Sequence, residues 1–372
     1  MKIVHFSDTH LGFNDLDILN SKNINQREAD FYDAFVQVVE QIKEIQPDYI
    51  IHTGDLFHRA SPSNRAITFA LTQFKIINAL GIPFILIAGN HSTPRTNLSS
   101  PILKIFENFE NIYLSYEQKY KKIEFSDIIF HTLPHMNDET KAQQQIELCE
   151  TNIQKDKKNI MMLHCSVGAH YLMQEFGEWV YPKEKEYIFK QMDYVALGHW
   201  HGFGAVKNHK NVYYSGSTER TSLNDKRNSK GFILVHLSDT LEVGFRAINI
   251  RKILQKEINC QDYENSIAQL DISDIKDAII EVTLKNITPM QSIEIQNTEI
   301  IALFPNAMSV NVKREFITTI NEQNMDDIEA LSLEEYFLQH IKEQSEEREF
   351  ARLRSKVQEL FRDYEEAQDD TL

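Results

Sequence analysis

MKIVHFSDTHLG, residues 1–12, decides the fold. Residues 2–6 are a short run rich in apolar and β-branched side chains, and Asp8 and His10 follow at once. A run of that length bounded by polar residues reads as a buried strand, and the residues just past it stand at a sheet edge, where loops gather functional groups. The same arrangement returns four times further along. Residues 49–53 precede Gly54-Asp55-Leu56-Phe57-His58, residues 84–88 precede Gly89-Asn90-His91, residues 160–163 precede His164, and residues 194–197 precede Gly198-His199-Trp200-His201.

These residue types suit one chemistry. Neutral imidazole, carboxylate and an amide oxygen bind Mn²⁺, Zn²⁺ or Fe²⁺, and the absence of Cys from all five pieces argues against a structural zinc site. Asp55 is the natural bridge between two ions. A pair roughly 3.5–4 Å apart activates water near neutral pH and clamps the oxygens of an in-line phosphoryl displacement. Each piece alone has a plainer explanation: Asp-x-His caps a turn, Gly-Asn-His is a turn with a left-handed Asn, and a lone His164 sits in a core. Gly-His-x-His says more, because residues i and i+2 of an extended segment project to one side. All five in order, each closing an apolar run, point to a two-metal phosphoesterase centre.

His-Phe-Ser-Asp-Thr-His-Leu-Gly (5–12), Gly-Asp-Leu-Phe-His (54–58), Ala-Gly-Asn-His (88–91) and Gly-His-Trp-His (198–201) resemble the calcineurin-like metallophosphoesterases, more narrowly the SbcD-type nuclease subunits of double-strand-break repair complexes. Residues 214–222, Tyr-Ser-Gly-Ser-Thr-Glu-Arg-Thr-Ser, resemble the segment that closes the catalytic domain in that family. The resemblance is strong over about residues 1–240 and a matter of layout beyond. It implies one ion held by Asp8, His10, Asp55 and His201 and a second held by Asp55, Asn90, His164 and His199, most readily Mn²⁺. It further implies a catalytic role for His91 at the scissile phosphate, and for His58 in turning the DNA backbone toward the metals. One position departs from the pattern: Ser92 stands where the family usually has Asp, and it can donate a hydrogen bond but carries no charge.

The implied fold is α/β: a layered β-sandwich metallophosphoesterase core flanked by helices over 1–240, a small α/β DNA-capping domain over 241–320, and a helical partner-docking segment over 321–372. Residues 28–46 carry Phe31, Phe35, Val38, Val39, Ile42 and Ile45 at three- to four-residue spacing, an amphipathic helix. Residues 64–80 predict another, with Phe69, Ile76 and Leu80 widening its apolar surface. With residues 102–109 they make a candidate interface, which in the resembled family forms a homodimer. Further on, residues 279–284 and 308–313 read as strands, 291–303 as a helix or helix-like connection, and 251–258 followed by 262–278 as a partner segment in a small α/β module. Ser332 and Glu335 form a capping box before Leu333, Phe337 and Ile341, and Phe350, Leu353, Val357, Leu360, Phe361 and Tyr364 recur at helical spacing. The resemblance makes this segment the dock for an SbcC-type ATPase partner.

Composition sets the frame. The 372 residues are 42% hydrophobic and 25% charged, enough for two domains and an appendage. Of the net charge of −16, the last 47 residues, with six Lys and Arg against fifteen Asp and Glu, carry −9, which leaves −7 for the other 325. Arg59, Arg65, Arg95, Arg220, Lys226, Arg227 and Lys230 lie near the motif loops, so a local basic rim for phosphates is expected on an acidic chain. No signal peptide precedes the first strand and no apolar run approaches the roughly 20 residues of a membrane helix, so a cytoplasmic protein away from membranes is expected. Cys149, Cys165 and Cys260 have no paired spacing, which fits reduced thiols. No Gly-x-x-x-x-Gly-Lys-Ser/Thr loop occurs, so ATP hydrolysis would fall to a partner. The expected function is a DNA exonuclease and endonuclease, 3′-to-5′ by resemblance. The rivals are a small-molecule phosphodiesterase with the same centre and a non-catalytic scaffold.

Overall fold

The computed structural model describes residues 1–93, 100–168, 179–222 and 229–317, together with Arg354 and Lys356. The expected C-terminal helices, and Arg95, Lys226 and Arg227 of the expected rim, lie outside the described residues. In chain order the first unit runs β1 (Lys2–Phe6), α1 (Gln26–Ile45), β2 (Tyr49–His52), α2 (Asn64–Ala79), β3 (Phe84–Ile87), β4 (Ile112–Ser115), β5 (Lys121–Glu124), β6 (Ile128–Leu133), α3 (Glu139–Thr151), β7 (Lys158–His164), β8 (Tyr194–Gly198), β9 (Gly204–Ala205), β10 (Val212–Tyr214), β11 (Gly231–Leu237) and β12 (Leu241–Ala247). Two six-stranded sheets result, ordered β12-β11-β1-β2-β3-β4 and β5-β6-β7-β8-β10-β9.

The apolar runs of the motifs are continuous because their strands are buried on both faces. Along β1 to β3, alternate residues serve opposite layers. Ile3, Ile51, Ile85 and Ile87 meet Phe130, Ile160, Met162 and Ala196 of the other sheet. Val4, Phe6, Ile50, Phe84 and Leu86 face the other way, onto Phe35, Val38, Val39 and Ile42 of α1 and Phe74 and Ile77 of α2. The second sheet repeats the scheme, with Met161, Leu163, Val195 and Leu197 against Ala142, Ile146 and Cys149 of α3. This is the layered sandwich with flanking helices that the sequence led us to expect. Truncating one of its fully buried rings, such as Phe35→Ala, costs about 3–5 kcal/mol.

Helix α1 starts where Asn25 caps it, its side chain accepting from the Glu28 N–H, and ends at a left-handed Gln46. Phe69, Ile76, Leu80, Ile102, Ile105 and Phe109 pack on the margin of the α1–α2 core and stay partly exposed. Residues 102–109 of the expected interface include one short 3₁₀ segment, Ile102–Phe106, after Pro101.

The first sheet continues past residue 240: β12 pairs with β11 along its whole length, from Leu237↔Leu241 to Gly231↔Ala247. The second unit then runs β13 (Ile253–Asn259), α4 (Tyr263–Ala268), β14 (Ile279–Ile287), α5 (Pro289–Glu294), α6 (Asn297–Ala302) and β15 (Ser309–Phe316), an all-parallel sheet ordered β13-β14-β15 around Ile258, Ile280, Val282, Leu284 and Ile300. The predicted helix-like connection at 291–303 is two short helices. Thr288 and Gln291 form a capping box with Pro289 at the first turn, and the chain leaves helical geometry at Ile295 (φ −78°, ψ 103°) before α6 begins. Arg251 roots this unit in the first: its guanidinium takes both oxygens of Asp30 in α1 at 2.6 and 2.7 Å and also donates to the Asp277 carbonyl at 2.6 Å.

Candidate metal centre

Parallel pairing brings the motif loops to one edge. β2 lies between β1 and β3, and His164 at the end of β7 is level with Gly198 at the end of β8. Past the strands the β1 and β2 loops remain zipped, with Asp8 N–H on the Gly54 carbonyl and His10 N–H on the Asp55 carbonyl, both at 3.0 Å. Asp8, His10, Asp55 and His199 all take positive φ (50°, 46°, 54° and 91°), a conformation costing about 1–3 kcal/mol each for such residues and concentrated at functional sites. Two motif glycines are required by space. A Cβ on Gly54, itself at φ +106°, would lie 2.2 Å from His164 Nδ1, and one on Gly89 would lie 2.2 Å from Asp55 Oδ1.

The donors converge in overlapping groups. Asp8, His10 and His201 place one ligand atom each within 4.8 Å of one another, as do Asp8, Asp55 and His164. His10 Nε2 and His201 Nε2 stand 3.1 Å apart. His164 Nε2 is 2.9 Å from Asn90 Oδ1 and 3.2 Å from Asp55 Oδ2, while its Nδ1 meets the Thr53 carbonyl at 2.7 Å. An Nδ1–H donated to that carbonyl leaves the Nε2 lone pair for the centre. His199 comes in less closely: its ring centroid is 5.3 Å from that of His164, and its backbone N–H donates to Asp8. His91 donates its backbone N–H to Asp55 Oδ1 at 2.9 Å, and its Nδ1 lies 2.6 Å from the His58 carbonyl. His58 stacks on His91 at 5.2 Å and forms a third group with it and His10.

Electrostatics mark the centre as built for cations. Burial pushes the Asp8 carboxyl up to about 6 despite His164 nearby. Burial also acts to raise Asp55, but the charge and hydrogen bond of His164, with His10 behind it, hold Asp55 well below the usual carboxylate range. The charges of Asp55 and Asp8 in turn lift His164 to about 9 against its burial. Burial, reinforced by neighbouring imidazoles, keeps His10 well below its ordinary value, and burial with Lys230 lowers His201 to about 3. Two buried carboxylates faced by imidazoles, of which His164 holds a proton that a bound metal would displace and His201 is already neutral, fit divalent cations.

Residues 1–203 match the calcineurin-like phosphoesterase family. The chain belongs to that family. Among its relatives are proteins named DNA double-strand break repair protein Mre11. The one from Thermoplasma acidophilum is 29% identical over 279 residues, covering 72% of this chain and 70% of its own. The one from Methanococcus maripaludis is 26% identical over 350 residues, covering 88% and 89%. The one from Sulfurisphaera tokodaii is 34% identical over 201 residues, covering 54% and 49%.

This phosphoesterase also has supporting residues that pattern reading missed. His5 and His52, both fully buried, lie beneath the centre: His5 bonds Tyr194 Oη (2.8 Å) and Thr53 Oγ1 (3.0 Å), while His52 bonds Thr9 Oγ1 (2.8 Å) and accepts the Gly54 N–H (3.2 Å). Burial lowers both to about 3, so they serve as neutral hydrogen-bonding groups. The available signal was a histidine inside a strand otherwise apolar on both faces. His135, buried with its ring 6.4 Å from that of His164, carried no such signal. Ser92 is 1% exposed, and its Oγ has no hydrogen-bond partner among the described residues.

Four residues of the expected basic rim are among the described residues. Arg59 is exposed beside His58, but Arg65 pairs with Glu28 at 3.0 Å, and Arg220 donates to the Arg251 carbonyl at 3.0 Å. Lys230 is not a rim cation: it is 1% exposed and donates to the His201 carbonyl at 2.7 Å. Among the described residues, no helix is long and apolar enough to cross a membrane.

Proposed function

We propose that this phosphoesterase is a two-metal DNA nuclease of double-strand-break repair. The convergence of Asp8, His10, Asp55, His164 and His201 into linked ligand groups beside an anchored His91 carries the reading, and the Mre11 relatives supply the substrate class. Asp8, His10, Asp55 and His201 would hold one ion, and Asp55, Asn90, His164 and His199 the other, with Mn²⁺ the expected metal. The ions supply water activation and neutralise charge on the phosphate. With its Nδ1–H donated to the His58 carbonyl and its backbone N–H on Asp55, His91 turns Nε2 to the phosphate, where a ring protonated on both nitrogens would give its Nε2 proton to the leaving oxygen and keep the Nδ1–H. His58 stacks behind it, and burial and His91 lower it to about 4, so it meets the DNA backbone as a neutral group.

The remaining parts follow the same reading. The three-stranded unit would guide DNA, the partly exposed face of Phe69, Ile76, Leu80 and Ile105 would pair two copies, and the C-terminal segment would dock an SbcC-type ATPase. Mn²⁺-dependent cleavage of end-labelled duplex and hairpin DNA by the full chain, lost in His91→Ala, is the expected result, with the product ladder giving polarity. Turnover of a small phosphodiester with no DNA cleavage would overturn it.

A further inference from the structure

Two residues outside the strand-end motifs hold His201 from opposite ends. Thr221 Oγ1 lies 2.8 Å from His201 Nδ1. An Nδ1–H donated to that hydroxyl leaves the Nε2 lone pair facing His10 Nε2 at 3.1 Å and Asp8 Oδ1 at 3.9 Å. At the other end, Lys230 Nζ donates to the His201 carbonyl at 2.7 Å and to Ser217 Oγ at 2.9 Å, and the Ser217 N–H reaches the same carbonyl at 3.2 Å. Lysine is among the residues least often fully buried, and burying its ammonium is costly unless its protons are bonded.

The other half of the centre is supported differently. His164 is oriented by the backbone carbonyl of Thr53 at 2.7 Å, which no substitution deletes. His10 Nδ1 is buried with no hydrogen-bond partner among the described residues. The half that contains His10 and His201 therefore depends for its orientation on side chains lying 20 and 29 residues beyond His201.

We infer that Thr221 and Lys230 are positioning residues that set the affinity of the ion at Asp8, His10 and His201 while leaving the ion at His164 alone, an inference resting on the two-metal reading above. Groups that orient a ligating imidazole through its second nitrogen typically change metal affinity by about 10–100-fold when removed.

The test is Mn²⁺ titration of the metal-free full chain, by calorimetry and by the free-Mn²⁺ electron paramagnetic resonance signal. Wild type should bind two ions. Thr221→Val should weaken one by about 10–100-fold and leave the other unchanged, with Thr221→Ser within about threefold of wild type. Metal-free melting temperatures of wild type and Thr221→Val should agree. Lys230→Met should weaken the same ion; if it fails to fold, the Thr221 pair still decides. In a His164→Ala background, Thr221→Val should weaken the one remaining ion. Two ions unchanged in Thr221→Val, or both weakened together, would overturn the inference while leaving the two-metal reading intact. Fewer than two ions in wild type would overturn that reading itself.

Discussion

His164 and His201 both turn Nε2 toward buried carboxylates, yet His164 rests Nδ1 on the Thr53 carbonyl at 2.7 Å whereas His201 rests its own on the Thr221 hydroxyl at 2.8 Å. His164 is fully buried inside the sandwich; the His201 side chain is 29% exposed and held by a segment that also touches the root of the second unit. Identical donor chemistry thus has one half built onto the backbone of the facing sheet and one half assembled from distant side chains. The first is fixed by the fold, and the second can be adjusted by residues far from the motifs.

In the proposed centre Asp55 would belong to both halves, so Asp55→Ala gives the largest expected effect. Both ions should be lost in a Mn²⁺ titration, and cleavage should fall by at least roughly 10²–10³-fold. Retention of two ions would remove Asp55 as the bridge. His91→Ala tests a residue outside the comparison: DNA cleavage should fall by roughly 10²–10⁴-fold with two Mn²⁺ still bound. Gly54→Ala drives a Cβ to within 2.2 Å of His164 Nδ1, so it should weaken the His164 ion selectively and cost about 1–3 kcal/mol of stability. Selective loss of the other ion would break the comparison.

The two halves also differ in how they titrate. In the metal-free protein, the stability His164 contributes through its raised pKa of about 9 is complete below its unfolded value near 6.5 and is lost as pH rises through 9. The depressed Asp55 contributes above its unfolded value and loses that contribution as pH falls toward its folded pKa. Asp8, raised to about 6, binds its proton more tightly when folded and so also destabilises the fold as pH rises from about 4 through 6. Between about pH 4 and 6.5 the lowered His5, His52, His10 and His201 add stability as pH rises and oppose Asp8, so metal-free stability should decline only from about pH 6.5 to 9, as His164 loses its proton, by an amount on the order of a few kcal/mol, and saturating Mn²⁺ should remove that decline because the metal takes the deprotonated ligands. The same slope with and without Mn²⁺ would contradict this account. The smallest effect is expected for Arg251→Gln, which loosens the bidentate hold on Asp30: the His201 ion alone should shift, by less than roughly tenfold, in the same titration.

Much of the candidate site was legible because metal ligation and phosphate chemistry admit few residue types. Asp8, His10, Asp55, Asn90, His91, His164, His199 and His201 each close an apolar run, and strands buried on both faces leave runs that can be read without partners. What holds the ligands was not legible. His164 and Thr53 are 111 positions apart, and nothing local in Thr221 or Lys230 points to His201. A lysine reads as solvent-facing, so Lys230 was placed on the rim when it is among the most buried residues of the centre. β12 escaped notice because the outer edge strand Leu241–Ala247 alternates half-buried with exposed residues and lacks the apolar run that marks the inner strands. The break between α5 and α6 likewise depends on Ile295 turning into the second core, where it is 8% exposed, which spacing alone does not reveal.

The most direct test is a Mn²⁺-soaked crystal of the full chain examined by anomalous scattering at the manganese edge. Two peaks are predicted, one among Asp8, His10 and His201 and one among Asn90, His164 and His199, with Asp55 between them. A single peak, or two that do not share Asp55, would contradict the two-metal centre on which the proposed nuclease rests.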